Sequence, residues 1–80
     1  MIKMNATEFK LNLNELKAER IRKGLSQEKL AEKLGQRASW VCRRESGVVD
    51  ITIPEFYQIA QAMGCTKTET NSLLKKMTGE

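Results

Sequence analysis

Apolar residues recurring at helical spacing, a capping residue before each recurrence and a glycine after most of them predict an all-α fold of five short helices. No two segments read as a convincing pair of strands. The chain has 80 residues, enough for one domain. A chain that short buries roughly 60% of its unfolded surface, so short helices with short connections close its core most cheaply.

Residues 1–11 have no clear punctuation. Ile2 and Met4, then Phe9, Leu11 and Leu13, alternate with polar residues as in an extended arm, whereas Asn5 followed by Glu8 would cap a helical turn. Both readings stay open for this N-terminal arm, and the domain proper is expected over residues 12–80. Asn12-Leu13-Asn14-Glu15 has the form of a capping box, and Leu13, Leu16 and Ile21 give the first helix an apolar face up to Gly24. Ser26 caps a second helix over about 27–34, with Glu28 at the positive end of its dipole and Leu30, Ala31 and Leu34 facing inward. A third helix over about 37–45 stops before Ser46-Gly47, and Val48 to Ile51 form a loop. Thr52-Ile53-Pro54-Glu55 is a further capping box, with Phe56, Ile59, Ala60 and Met63 at i, i+3, i+4 and i+7 in a fourth helix reaching Gly64. Thr66-Lys67-Thr68-Glu69 opens a fifth helix, whose apolar stripe is Leu73, Leu74 and Met77.

Net charge is +4, and its distribution says more than its sum. Residues 17–44 carry nine basic side chains against Glu19, Glu28 and Glu32, while both flanks are neutral or acidic. A positive field concentrated in one middle segment is what a polyanion-binding face requires, although solvated helices also carry many Lys and Arg.

Other classes find little support. Cys42 and Cys65 form no CxxC pair and there is no histidine, so metal ligands are lacking and free thiols are expected. Without histidine the commonest general base is absent, and no Ser or Cys has a credible catalytic partner. An enzyme is not expected, nor is any cofactor or small-molecule ligand. No apolar run approaches the roughly 20 residues of a membrane span. Met1 to Asn5 has no signal-like core, so a cytoplasmic protein is expected.

The informative constellation is Ser26-Gln27-Glu28-Lys29-Leu30-Ala31-Glu32-Lys33-Leu34-Gly35, then Val41, then Glu45-Ser46-Gly47. Ala31 must be small where two helices cross, and Gly35 allows a tight turn with positive φ. Leu30, Leu34 and Val41 lock the helices at a fixed angle. A helix-turn-helix needs that angle so that its second helix enters the major groove while its first spans the backbone.

The run SQEKLAEKLG, with Val41 and the ExG of Glu45 to Gly47, closely resembles the Xre/Cro family of lambda-repressor-like helix-turn-helix domains over about residues 12–77. The resemblance implies a compact five-helix domain that binds double-stranded DNA through helices 2 and 3. Ser26 and Gln27, with Gln36 at the turn, would contact phosphate, as helix N-termini favour. Arg37, Ala38, Ser39, Cys42 and Arg43 would face the bases, Arg43 being suited to a bidentate contact with guanine. Solvated surface arginines and a plain exposed thiol are the competing readings. Arg20 and Glu45 would form a structural bridge. A homodimer on a palindromic site would supply the second half-site. Leu73, Leu74 and Met77 are its candidate surface, or else they close the monomer core. The function implied is a small transcriptional regulator, a repressor by preference. The alternative is an antitoxin or adaptor acting through a protein partner, for which the uncharged Val48 to Ile51 loop offers a surface.

Several features sit uneasily with the family pattern. Position 44 is commonly apolar or aromatic, so Arg44 must snorkel or stack on Trp40. Trp40 itself reads as a packing anchor or as a base or sugar contact. Arg37 stands where a Ser or Thr cap is usual, and the loop after the third helix lacks basic residues, which lowers non-specific affinity and flattens its salt dependence.

Overall fold

The computed structural model describes residues 11–79; apart from Leu11, the expected N-terminal arm lies outside them. The described chain is five helices, α1 (Leu13–Arg22), α2 (Gln27–Leu34), α3 (Ala38–Ser46), α4 (Ile53–Ala62) and α5 (Lys67–Thr78), with no strand among the described residues. α2 packs on α3 and α4, and α1 packs on α3 and α5.

Local chemistry sets the helix starts. Ser26 Oγ accepts from the Lys29 N–H at 3.0 Å. Thr52 with Glu55 and Thr66 with Glu69 form complete capping boxes, so each threonine hydroxyl and each glutamate satisfies a backbone N–H left open by the first turn. The box expected at Asn12 does not form. Ser26, Thr52 and Thr66 are extended, with ψ of 166°, 160° and 169°, whereas Asn12 has ψ 89° and its side chain caps nothing. Its backbone N–H instead donates to the Met77 carbonyl at 2.7 Å, joining the start of α1 to the end of α5.

Two glycines carry the geometry of α3. Gly35 has φ +69° at the C-cap of α2, the left-handed turn that swings the chain into α3. Gly47 has φ +83°, and a Cβ there would stand 3.2 Å from Leu13 Cδ1. The ExG glycine is thus required by backbone conformation, with the Leu13 side chain of α1 packed close against it.

Leu16, Leu30, Ala31, Val41, Phe56, Ile59, Met63, Leu73 and Met77 form one buried cluster. Leu34, expected to lock α2 to α3, is half-buried beside it. One apolar assignment is corrected, and one that had two readings is narrowed. Ile21, read as part of α1's inner face, is 58% exposed; it lies five residues past Leu16, about 140° round a helix of 3.6 residues per turn. Of the dimer candidates, Leu73 and Met77 are 3% and 1% exposed and Leu74 is half-buried. The α5 stripe is therefore core: Leu73 and Met77 join the buried cluster and present almost no surface to a second copy.

Candidate nucleic-acid interface

α3 begins one residue later than expected, because Arg37 takes the N-cap position rather than the first turn. It is extended there (φ −92°, ψ 157°), but an arginine has no acceptor to offer the N3 amide, and no side-chain cap forms. Its guanidinium is consequently free to project outward, and Arg37 is exposed.

Gln36, Arg37, Ser39 and Arg43 line an open concavity of about 590 Å³ together with Gly35, Trp40, Arg44 and Val49. Four of the expected DNA-facing residues therefore share one surface. Cys42 is exposed on α3 and Ala38 is half-buried at its start, both outside that concavity. Ser26 stands at the N-cap of α2; its Oγ accepts from Lys29 N–H and keeps its own hydroxyl proton for an acceptor. Val41 points inward at 2% exposure.

Gln27 is differently engaged. Its Nε2 donates to Glu45 Oε1 at 3.1 Å, which ties the start of α2 to the end of α3. Glu45 also accepts from Arg20, through Nε at 2.6 Å and Nη2 at 3.2 Å, and Arg20 Nη1 donates to the Leu25 carbonyl at 2.7 Å. The pair is buried, with side chains 8% and 5% exposed. One carboxylate thus joins α1, α2 and α3. The Gln27 side-chain amide, expected to face phosphate, is therefore engaged on Glu45.

At the other edge of α3 the Arg44 guanidinium lies 3.8 Å over the Trp40 ring centroid. Its Nε and Nη2 donate to the two Glu55 carboxylate oxygens, at 3.2 Å each. The Arg44 hydrogen bonds, and after them the Thr52 amide, hold the Glu55 carboxyl below its ordinary value. The stack on Trp40 was anticipated from the sequence, but Glu55 as partner was not. Glu55 is the N3 residue of the α4 capping box, and that local role gave no sign of a second partner in α3. Among the described residues Arg43 makes no salt bridge, so its fork of donors is open to a ligand.

Val48 is 76% exposed, whereas Val49 is half-buried and its N–H donates to the Arg43 carbonyl at 3.2 Å. Of the two valines in the uncharged loop, only Val48 is therefore offered to a partner. Among the described residues no cluster of His, Cys, Asp and Glu could hold a metal ion. No described helix is long and apolar enough to cross a membrane.

A family model described as helix-turn-helix matches residues 16–69, a span that runs from the Leu16 core position to the Glu69 cap of α5. No curated protein and no solved structure matches the chain.

Proposed function

The chain belongs to the helix-turn-helix family of Xre and lambda-repressor-like DNA-binding regulators, and on that premise we propose that it is a small repressor that occludes a promoter by binding a two-fold symmetric duplex site as a homodimer. The observation that carries the reading is the shared surface of Arg37, Ser39 and Arg43: two exposed guanidiniums and a hydroxyl on the outer side of the second helix of the motif. Arg43 reads guanine through O6 and N7, Arg37 and Ser39 take neighbouring base or phosphate oxygens, and Ala38 and Cys42 pack at the edge. Ser26 and the backbone N–H of Gln27 hold a phosphate on one side of the groove, with Gln36 on the other.

The length of the second helix supports dimerisation. The nine residues of α3 extend about 13 Å, the span of about four base steps, and a second module one helical turn away doubles the site. Protection of a duplex selected by the purified chain from a random pool tests this. A footprint with two-fold symmetry is expected, with Arg43→Ala losing about 1–3 kcal/mol of discrimination at one base pair of each half-site. Binding by that variant with unchanged sequence preference would remove Arg43 from the reading surface.

A second reading has the chain acting through a protein partner, as an antitoxin or adaptor. Its support is two exposed apolar side chains, Val48 in the α3–α4 loop and Ile53 at the start of α4, 76% and 60% exposed. Co-purification with a protein that is released by Val48→Asp would favour it; tight sequence-selective binding by the isolated chain counts against it.

A further inference from the structure

Arg44 is set apart from Arg37 and Arg43, although all three line the same concavity. Its side chain is 13% exposed, while the other two arginines are exposed. Glu55 takes it by both carboxylate oxygens, and Arg44 Nη1 donates to the Trp40 carbonyl at 3.3 Å. Glu55 is itself fixed: its Oε1 accepts from the Thr52 N–H at 3.1 Å, and its own N–H donates to Thr52 Oγ1 at 3.2 Å. Its carboxylate therefore serves the α4 cap and Arg44 at once. An arginine stays charged at every relevant pH, so only an anion can take its charge out of play. An apolar side chain at this position would cover Trp40 with no anion required.

We propose that Glu55 is a specificity-determining residue: it holds Arg44 off the DNA backbone, so that the third arginine of the groove adds no sequence-independent phosphate contact. The inference rests on the DNA-binding reading above. Each phosphate neutralised by Lys or Arg releases counterions and tightens binding to every sequence alike, whereas base-edge contacts discriminate. With Arg44 paired, discrimination is left to Arg37, Ser39 and Arg43. Freed, it would raise affinity for random duplex and narrow the ratio between specific and non-specific sites.

The test compares Kd for a random-sequence duplex from 50 to 200 mM salt in the full chain and in Glu55→Gln, Arg44→Met, Arg44→Gln and the double variant Arg44→Met/Glu55→Gln. Glutamine at N3 preserves a capping box, so Glu55→Gln removes the charge and keeps the start of α4; thermal unfolding establishes that each variant is folded. Glu55→Gln is expected to bind random duplex more tightly at 50 mM and to steepen the logarithmic salt slope by about 0.9, an extra loss of about 3.5-fold across that range. Both single Arg44 variants and the double variant should keep the wild-type slope. A Glu55→Gln slope equal to wild type, or Arg44 variants flatter by about 0.9, would overturn the masking role. If wild type binds no duplex even at 50 mM salt, the DNA reading falls and masking with it. If wild type binds and Glu55→Gln changes nothing, only masking falls.

Discussion

Arg20–Glu45 and Arg44–Glu55 fasten α3 with the same two side-chain types, and Arg44 and Glu45 are neighbours in sequence, yet the pairs differ in kind. Adjacent residues on a helix point about 100° apart, so Glu45 turns toward α1 and α2 while Arg44 turns toward α4. The first pair is 8% and 5% exposed and carries a third partner in Gln27; the second is 13% and 24% exposed and borders the groove. In the dry setting, breaking a pair strands a charge, and the pair becomes a condition of folding. At the wet edge water takes over much of the lost interaction, and what changes is the field presented to a ligand.

The largest effect should come from the buried side. Glu45→Ala leaves the Arg20 guanidinium without a carboxylate and is expected to destabilise by about 3–5 kcal/mol, read from urea unfolding. Replacing both partners by apolar residues, Arg20→Met with Glu45→Leu, should recover most of that loss; a double variant as unstable as the single would break the distinction between stranded charge and lost pair. At the wet edge, Glu55→Gln is expected to lower stability by no more than about 1 kcal/mol. A loss near that of Glu45→Ala would make the two pairs equivalent.

The smallest effect is that of acid. Glu55 is held below its ordinary value of 4.5 by Arg44 first and the Thr52 amide second, and Glu69 by the Thr66 amide first and Lys23 second. A carboxylate whose value is depressed by folding contributes stability that is present above the unfolded value and is lost as pH falls through the folded one. The unfolding midpoint should therefore hold down to about pH 4.5 and decline below it. Glu55→Gln should decline less steeply; an identical decline would remove Arg44–Glu55 as a source of acid sensitivity.

The same contrast separates what was legible in the sequence from what was not. α2, its turn and the inner face of α3 could be read because each position answers to one demand: a hydroxyl at Ser26, a small side chain at Ala31, a left-handed turn at Gly35, an inward Val41. The Arg20–Glu45 bridge came with the family resemblance. Arg44–Glu55 escaped because Glu55 has two tasks, and its role in the α4 cap concealed the salt bridge. Asn12 failed as a cap because tertiary docking on Met77 set its backbone, and a four-residue pattern carries no information about that contact. Whether Leu73 and Met77 faced a partner or the core depended on α1 packing across α5, again a long-range matter. Local chemistry was readable; contacts between distant elements were readable only where a resemblance supplied them.

The hydrogen bond from Asn12 to Met77 has a kinetic corollary. It closes nearly the whole described chain into a single ring, whereas α2 and α3 meet across one tight turn at Gly35. The entropy of closing a loop rises with its length, so the α2–α3 hairpin is expected to form at less loss of chain freedom than the α1–α5 seam. Weakening that seam at Leu73 or Met77 is then expected to hasten unfolding more than it slows folding, read from the two arms of a urea chevron.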